Sequence, residues 1–186
     1  MQDKIKKEIE ESIEAKKRLP VKDIEDAAKL ITAAIKSDRK ILLCGNGGSA
    51  ADCQHIAGEL VGRFKKERKA LPAISLATDT SILTALTNDY GGEVIFARQV
   101  EALGAEGDVL IAFSTSGTSP NILRAVEAAR KKRMKVVGFT GSKGGKLKAA
   151  SDVCIMAASD DTPRIQECHI TAAHIICGLV EDSTSS

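Results

Sequence analysis

The chain has 186 residues, of which 43% are hydrophobic and 28% charged, and its net charge of +2 with 3% aromatic content argues against a nucleic-acid partner. No apolar stretch approaches the roughly 20 residues that span a bilayer, and the highly charged N-terminus is unlike a secretory signal. We therefore expect a single domain, residues 1–186, that is cytoplasmic and has no membrane partner.

Two helices are predicted at the N-terminus. Isoleucine recurs at four-residue spacing at Ile5, Ile9 and Ile13 within a charged segment, which predicts a helix with a narrow apolar stripe. A second apolar stripe follows a proline that ends the first helix and helps to start the next. Because the first helix is polar on three sides, we expect its stripe to dock on a sister subunit. Residues 1–37 are thus predicted to be a helical extension involved in oligomerisation, preceding an α/β core of residues 38–181.

From residue 40 onward the pattern changes to a repeated strand, loop and helix. Five short apolar runs are typical of strands buried on both faces, and they are Lys40–Cys44, Ala73–Leu76, Asp108–Phe113, Lys135–Phe139 and Asp152–Met156. The main helical segments among and after them are 49–64, 91–103, 119–133 and 164–181. This alternation predicts an α/β fold, a five-stranded parallel sheet flanked by helices, with ligands bound at the carboxyl ends of the strands.

The first predicted strand ends in a glycine-rich segment, CGNGGS, at residues 44–49. Glycine allows positive φ and close approach of a ligand, and free N–H groups at the start of the following helix favour an anion. The segment matches neither GxGxxG nor a P-loop. Because glycine-rich turns also serve chain topology alone, this segment by itself leaves both interpretations open.

The third predicted strand ends in FSTSGTSPN, residues 113–121, which carries five hydroxyl groups in six residues. Pro120 is predicted to be the first residue of the next helix, with Ser119 as its N-cap. A cap needs one hydroxyl and this loop offers five, which favours a neutral, donor-rich cradle for a phosphate monoester. The fourth strand ends in TGSKGGK, residues 140–146, where a second anion loop and a plain turn remain alternatives.

Two other features are predicted to be structural. The basic run KKERK, residues 65–69, is expected to be a solvated loop. The five cysteines are odd in number and contain no CxxC pair, so we expect reduced and mostly buried thiols.

Candidate catalytic and metal-ligating side chains lie on two predicted helices. His55 and Glu59 share one face of the first helix, while Gln166 and His174 lie about 80° apart around the second. Each pair alone suits an ordinary surface or core position, and periodicity does not show whether the helices meet. If they do, the four side chains form a nitrogen and oxygen ligand set suited to zinc or a similar divalent ion. A Glu and a His near a phosphate cradle also form an acid/base pair for moving a proton beside a carbonyl. His169 lies about 140° from His174 and is excluded from the set.

These motifs resemble those of the bacterial phosphoheptose isomerases, the sedoheptulose 7-phosphate isomerases of the sugar-isomerase (SIS) domain superfamily. The resemblance covers about residues 38–181, with helical N-terminal residues in keeping. It rests on the combination of CGNGGSA, QHIAGEL, Asn88-Asp89, STSGTS, TG(x)₂GG and RIQE(x)₇H. The resemblance implies an SIS fold and a sugar-phosphate isomerase.

The resemblance also implies a role for individual residues. The phosphate would be held by Ser114, Thr115, Ser116 and Ser119. The rest of the substrate would contact Asn46, Gly47, Gly48, Ser49, Glu59, Asn88, Asp89 and Gln166. One zinc ion per subunit is implied at His55, Glu59, Gln166 and His174. Glu59 and His174 fall on the acid/base positions.

The implied reaction converts sedoheptulose 7-phosphate to D-glycero-D-manno-heptose 7-phosphate through an enediol, for ADP-heptose and lipopolysaccharide core biosynthesis. Glu59 would abstract the proton next to the carbonyl, and His174 would move protons between the oxygens and help to open the ring. The resemblance also implies a homotetramer whose neighbouring subunits complete each site. The two helices could therefore reach the metal from one chain or from different chains.

Two alternatives come from the same superfamily. A non-catalytic relative binds a bacterial replication initiator protein and lacks the acid/base residues, whereas Glu59 and His174 are both present here. A sugar-phosphate-sensing module normally accompanies a DNA-binding domain, for which this chain offers no helix-turn-helix candidate. The sequence departs from the family pattern at Pro163, where some relatives have an acidic residue, so no role is assigned to that position.

Overall fold

The structure, a computed structural model, describes residues 1–185. Its helices are α1 (Gln2–Lys17), α2 (Val21–Lys36), α3 (Gly48–Val61), α4 (Thr80–Tyr90), α5 (Ile95–Leu103), α6 (Pro120–Lys131), α7 (Gly145–Ala150) and α8 (Thr162–Thr184). Its strands are β1 (Ile41–Cys44), β2 (Ala73–Ser75), β3 (Val109–Phe113), β4 (Lys135–Thr140) and β5 (Val153–Met156). The five predicted strands are confirmed, with ends that differ by one residue.

The strands form one parallel sheet in the order β2-β1-β3-β4-β5. The register places Leu43 beside both Ser75 and Ile111. The chain passes from β1 outward to β2 and then returns to the other side of β1 to form β3. The carboxyl ends of β1 and β3 therefore adjoin the point where the strand order reverses, which is the usual ligand position in such sheets.

Helices cover both faces of the sheet, which explains why the strands are continuously apolar. Alternate residues of β1 divide between two cores: Leu43 packs with α2, α3 and α8, and Leu42 packs with α5, α6 and α7. The α/β fold with a flanked parallel sheet is thus confirmed. Because α3 and α8 belong to the same layer, the two helices that carry the predicted catalytic residues lie on one side of the sheet.

The first helix lies outside these cores. Its isoleucine stripe is exposed, with Ile5 at 53%, Ile9 at 56% and Ile13 at 41% of full accessibility. Only Ala15 of α1 is buried, and Arg164 of α8 fastens the helix by donating to the Glu8 carbonyl. In contrast, α2 contributes five buried apolar residues to the core that contains α3 and α8. The stripe of α1 is therefore apolar surface that a single chain leaves uncovered.

Two helices were not predicted from the sequence. The α4 helix has no buried residue, so it lacks the apolar periodicity on which the prediction of a helix depends. Its signals are local: Asp79 caps the N-terminus by accepting from the Ile82 N–H at 2.9 Å, and Thr84 and Thr87 bond back to carbonyls one turn earlier. The α7 helix is only six residues long, and its N-cap Gly144 and first residue Gly145 both have positive φ. The predicted helix 91–103 begins at Ile95 instead.

The basic run at residues 65–69 is not wholly solvated, so that prediction was wrong for one residue. The Arg68 side chain is only 2% exposed and faces Glu181 of α8, whose side chain is equally buried. The charge of Arg68 is therefore engaged inside the protein.

The cysteine prediction is confirmed. All five thiols are free, and four of them are buried. Burial raises the pKa of Cys177 to about 12, so this thiol stays protonated and unreactive near neutral pH.

His169, on α8, has a structural role and contacts the end of β4. Its Nε2 donates to the Thr140 carbonyl at 3.0 Å, and its ring packs against Phe113 and Phe139. Because a carbonyl only accepts, the proton resides on Nε2, and Nδ1 is buried without a partner among residues 1–185. Burial lowers the pKa of His169 to about 4.

This depressed pKa predicts acid sensitivity. The unfolded chain binds a proton at His169 below pH 6.5 and the folded chain only near pH 4, so stability is complete above pH 6.5 and falls with decreasing pH. The contribution lost by pH 4 is about 3 kcal/mol. His169→Gln keeps a donor toward the Thr140 carbonyl but does not titrate. Urea unfolding from pH 7 to pH 4 should show a shallower loss of stability for this variant, and identical pH slopes would contradict the assignment.

Candidate active site

A cluster of three side chains joins α3 and α8. On α3, the Nε2 atom of His55 lies 3.0 Å from Oε1 of Glu59, as the four-residue spacing predicts. The Nε2 atom of His174 on α8 lies 3.0 Å from Nε2 of His55. One ligand atom of each residue falls within 4.8 Å of the others. The two helices therefore meet, which periodicity could not show.

The two helices run side by side in the same direction. A Cβ atom added to Gly48 at the start of α3 would lie 2.7 Å from the Gln166 amide nitrogen of α8. Two turns later His55 meets His174, and beyond the end of α3 the Phe64 ring faces Gly178. All of these contacts occur within one chain, so His55, Glu59 and His174 come together without a neighbouring subunit.

The nitrogen and oxygen atoms of this cluster are better suited to bind a divalent metal ion than to hydrogen-bond with one another. A neutral imidazole Nε2 can donate one proton or accept one, but His55 Nε2 faces both a carboxylate and a second Nε2. If His174 donates to His55, then His55 has no proton for Glu59. A cation at the centre would satisfy all three groups at once. Two imidazoles and a carboxylate are also typical zinc ligands, so the cluster is compatible with zinc.

The cluster is open to ligands on one side. The His55 side chain is 49% exposed and that of Glu59 23%. On the other side the Phe64 ring stacks on His174, with ring centres 5.6 Å apart and planes inclined by 25°. The stacking fixes the plane of the His174 ring while its Nε2 atom faces His55.

The hydroxyl groups of the loop after β3 converge. Oγ of Ser114 lies 2.9 Å from Oγ of Ser119 and 3.4 Å from Oγ of Ser116, which accepts from the Thr118 hydroxyl at 3.0 Å. Ser119 is the N-cap residue of α6 and Pro120 its first residue, as predicted, although the Ser119 hydroxyl makes no capping bond. That hydroxyl is instead turned toward the other serines.

This loop also has free backbone donors. Within residues 1–185, no hydrogen bond uses the N–H groups of Thr115 or Ser116. The loop after β4 supports it from behind: Gly141 N–H donates to the Thr115 carbonyl at 2.9 Å, and a side chain at Gly117 would overlap the Gly144 carbonyl. The glycines of residues 140–146 therefore allow two loops to pack together, and the free donors suit an anion.

The loop after β1 lies beside the serine loop. Asn46 and the Asn121 amide of α6 exchange two hydrogen bonds, at 3.0 and 2.8 Å. Gly47 has φ +54°, which glycine adopts without strain. Ser49, a predicted substrate contact, is only 3% exposed and packs against Gly45. Asn46, Gly47 and Gly48 are exposed at this edge of the sheet.

A cavity of about 420 Å³ adjoins the serine loop. Its lining combines three loop residues with parts of the β4 loop and α8, and comprises Thr115, Ser116, Thr118, Lys143, Gly145, Asp160, Thr162 and Ile165. Ile165 is the immediate neighbour of Gln166, whose amide lies at the start of α3. The cavity therefore lies between the serine loop, the loop after β4 and the start of α8.

Comparison with known proteins identifies the family. The SIS domain family profile matches residues 4–141. A phosphoheptose isomerase of Nitratiruptor sp. is 58% identical over 160 residues, covering 86% of each chain. Another, of Aquifex aeolicus, is 54% identical over 185 residues, covering 98% of this chain and 97% of the relative. This chain belongs to the phosphoheptose isomerase family.

The fold agrees with this family assignment. The solved phosphoheptose isomerase of Neisseria gonorrhoeae superposes with a TM-score of 0.91 at 43% identity, covering 97% of this chain and 98% of that one. The SIS fold expected from the sequence motifs is therefore confirmed over nearly the whole chain.

Not all predicted family residues come together in one chain. Gln166 contacts Gly48, so three of the four predicted metal ligands form the cluster and the fourth lies toward the N-terminal end of α3. Asn88 and Asp89 lie exposed near the end of α4, where the Asn88 amide donates to Asp89 at 2.8 Å. Among residues 1–185, no hydrogen bond links this pair to the cluster or to the serine loop.

Three residues at the site were not predicted. Thr118 bonds to Ser116, Asn121 bridges the two loops, and Phe64 stacks on His174. The sequence carried a signal for the first two, because Thr118 belongs to the five-hydroxyl run and Asn121 follows the proline that starts α6. The position of Phe64, at the end of the predicted helix 49–64, is typical of an ordinary core residue.

The contact between Gly48 and Gln166 predicts the effect of a single methyl group. In Gly48→Ala the new Cβ would displace the Gln166 amide, while the backbone of Gly48 accommodates alanine. If Gln166 is the fourth ligand, affinity for a divalent metal should fall on the order of 10-fold or more, and the fold should be retained. Calorimetric titration of the metal-free protein with zinc measures this change.

Gly58→Ala is the matched control on the same helix, because no atom lies within 4 Å of a Cβ added there. It should leave metal affinity unchanged and stabilise the protein by up to about 1 kcal/mol, as expected of Gly→Ala inside a helix. Unchanged metal affinity in a folded Gly48→Ala protein would remove Gln166 from the ligand set.

Proposed function

We propose that this member of the phosphoheptose isomerase family converts sedoheptulose 7-phosphate to D-glycero-D-manno-heptose 7-phosphate through an enediol. The observation that carries the proposal is that one chain assembles both the His55–Glu59–His174 cluster and a loop of convergent hydroxyls. Identity of 58% to a phosphoheptose isomerase supports the assignment. The activity is that of an aldose–ketose isomerase, an intramolecular oxidoreductase, acting in heptose biosynthesis.

Substrate binding begins at the serine loop. The hydroxyls of Ser114, Ser116 and Ser119 and the free N–H groups of Thr115 and Ser116 bind the phosphate. Asn46 and the two following glycines line the sugar from the β1 side. A neutral loop of this kind orients the substrate by hydrogen bonds, with its carbon chain directed along α8.

The spacing along α8 suits a long sugar. Gln166 contacts the start of α3, which follows the β1 loop beside the serine loop, and His174 is eight residues further, about 12 Å along the helix axis. In a heptose 7-phosphate the phosphate is at the opposite end of the carbon chain from C1 and C2, where the ketose and aldose differ. In the proposed binding mode the phosphate lies at the serine loop and the carbon chain extends along α8 toward Glu59 and His174.

Proton transfer is assigned to Glu59 and His174. The Glu59 carboxylate removes the proton next to the carbonyl to give the enediol and returns it to the neighbouring carbon. The His174 imidazole moves a proton between the two oxygens and assists ring opening. Nε2 of His55 lies 3.0 Å both from Oε1 of Glu59 and from Nε2 of His174. These contacts keep the Glu59 carboxylate and the His174 imidazole on one side of the substrate.

We propose zinc as the metal, held by His55, Glu59 and His174. Gln166, the fourth predicted ligand, lies two helical turns from His174 in one chain, so we propose that Gln166 of a neighbouring subunit completes the set. When bound, the ion supplies Lewis-acid polarisation of the substrate carbonyl. The support is the donor chemistry of the cluster, in which two imidazoles and a carboxylate face one another without enough protons to pair.

We also propose that the active unit is a homotetramer and that residues 1–37 serve its assembly. The exposed isoleucine stripe of α1 and the absence of buried residues in α4 support this proposal. A subunit packed against α4 would bring Asn88 and Asp89 near a neighbour, which explains their distance from the cluster. The non-catalytic alternative, a protein that binds a replication initiator, is not favoured, because the acid/base residues are present and assembled.

The role of Glu59 is tested by Glu59→Gln, which removes the basic oxygen without changing core volume. Turnover of sedoheptulose 7-phosphate should fall by about 10² or more, the usual scale for loss of a general base. The assay follows formation of the aldose phosphate by the parent protein and by the variant, both loaded with zinc.

Metal content must be equal in the two proteins, since Glu59 is also a proposed ligand, and it is measured before the assay. Treatment of the parent with a chelator should abolish turnover, and zinc should restore it. Near-normal turnover by the zinc-loaded variant would eliminate Glu59 as the base, and an inactive parent would overturn the proposed reaction.

The one-chain contact between α3 and α8 predicts the result of mixing two inactive variants. If Glu59→Ala and His174→Ala chains are co-expressed with different tags and mixed oligomers are isolated, no active site regains both residues. Their turnover should therefore not exceed that of either variant alone. Regained activity would show that the pair acts across a subunit boundary. Sedimentation of the parent tests the tetramer, which a fully active monomer would contradict.

A further inference from the structure

A buried ion pair lies beyond the C-terminal end of α3, the helix that carries His55 and Glu59. The side chains of Arg68 and Glu181 are each only 2% exposed, and Nε of Arg68 lies 3.2 Å from Oε1 of Glu181. The contact is an ion pair and not an aligned hydrogen bond. Since burying two charges costs free energy that their attraction only partly offsets, both groups need further partners, and each has them.

Arg68 binds the end of α3. Its Nη2 donates to the carbonyl of Glu59 at 2.8 Å, and its Nη1 donates to the carbonyl of Leu60 at 2.9 Å. These are carbonyls of the last helical turn, which have no partner within the helix. The last turn of α3 contains no basic residue, so Arg68 is the cation that stabilises this helix end. It holds the backbone of the proposed base itself.

Glu181 binds the loop that follows. Its Oε1 accepts from the N–H of Phe64 at 2.9 Å, and its Oε2 accepts from those of Lys65 and Lys66 at 2.7 and 2.8 Å. Burial raises the pKa of Glu181, but the three N–H groups and Arg68 together lower it below its usual value. Glu181 therefore remains a carboxylate and keeps all three N–H groups engaged.

The loop in turn contacts His174. Glu181 is seven residues after His174, close to two turns, so both project from the same face of α8. Between them the Phe64 ring packs over Gly178, where an added Cβ would be in van der Waals contact, 3.4 Å from Phe64 Cε1. The Phe64 ring stacks on the His174 imidazole. By holding the Phe64 backbone, Glu181 places an aromatic face against the second catalytic residue.

We infer that Arg68 and Glu181 are positioning residues that set the geometry between Glu59 and His174. One member of the pair holds the Glu59 backbone, and the other holds the Phe64 ring against His174. The inference rests on the proposed function for what the two positioned residues do. The geometric part, that the pair controls the placement of His174, can be tested without turnover.

Two substitutions test the pair. In Glu181→Gln the shape is retained, but one acceptor oxygen becomes an NH₂ group that faces either Arg68 or the loop N–H groups. In Arg68→Lys the charge is retained, but an ammonium lacks the planar fork that reaches both helix carbonyls. We expect kcat for sedoheptulose 7-phosphate to fall about 10- to 100-fold in each, as for a small misplacement of catalytic groups. KM should stay within about 3-fold, because the serine loop binds the phosphate independently.

The three histidines provide a direct readout of position. In carbon–proton correlation spectra of the imidazoles, the signal of His174 depends on the Phe64 ring beside it. Both substitutions should shift the His174 and His55 signals. His169 is packed against Phe113 and Phe139 elsewhere in the core, so its signal should not move and reports that the protein is folded.

Asp182→Asn is the matched control. Asp182 adjoins Glu181 on α8 and pairs with Lys66 of the same loop at 2.8 Å, but the two side chains are 57% and 59% exposed. Removing this exposed pair should change neither kcat nor the histidine signals, since surface ion pairs contribute little.

The outcomes separate the hypotheses. A lower kcat with a shifted His174 signal and an unmoved His169 signal supports the positioning role. A folded Glu181→Gln or Arg68→Lys protein with unchanged His174 signal and kcat overturns it, as does an equal loss in Asp182→Asn. If Glu181→Gln does not fold, Arg68→Lys decides between these outcomes. A parent without isomerase activity would overturn the proposed function, while the His174 signal would still test the positioning.

Discussion

The close parallel packing of α3 against α8 determines where every proposed catalytic group lies. Glycine permits the close contact at one end, where Gly48 leaves space for the Gln166 amide, and at the other end the Phe64 ring packs over Gly178. Between these points the histidines meet directly. Both helices belong to one layer on one face of the sheet, so the rigidity of the apolar core is transmitted to the cluster.

The two parts of the proposed site, the serine loop and the acid/base pair, are held in place by different elements. The serine loop is held by the sheet, because it continues β3 and packs against the loop of the adjacent strand β4. The acid/base pair is held by helices, whose ends need external partners for their backbone groups. A substrate that bridges the two must fit the distance between a strand end and a helix end. This distance is a property of the whole fold and is insensitive to any single loop.

Much of this arrangement could be predicted from the sequence, and the failures have physical causes. The parallel sheet was predictable because strands buried on both faces, such as Val109–Phe113, have no polar residues. The contact between α3 and α8 could not be predicted. Amphipathic periodicity shows which face of a helix is buried, but it does not show which other helix packs against that face. Helix α4 has no buried face, so periodicity could not detect it. Arg68 was misassigned because a charge run usually indicates solvent, and its burial depends on a carboxylate more than a hundred residues away.

The uncharged character of the serine loop bears on how a reversible isomerase releases its product. Substrate, enediol and product all carry the same phosphate, so any attraction at that group stabilises the three species equally. Such uniform binding does not lower the barrier between bound states, and beyond saturation it only slows departure. In the proposed binding mode, the hydroxyl and N–H donors of the loop, which itself contains no charged side chain, orient the phosphate and leave the ligand free to exchange. The differential stabilisation that catalysis requires is then left to the far end of the sugar.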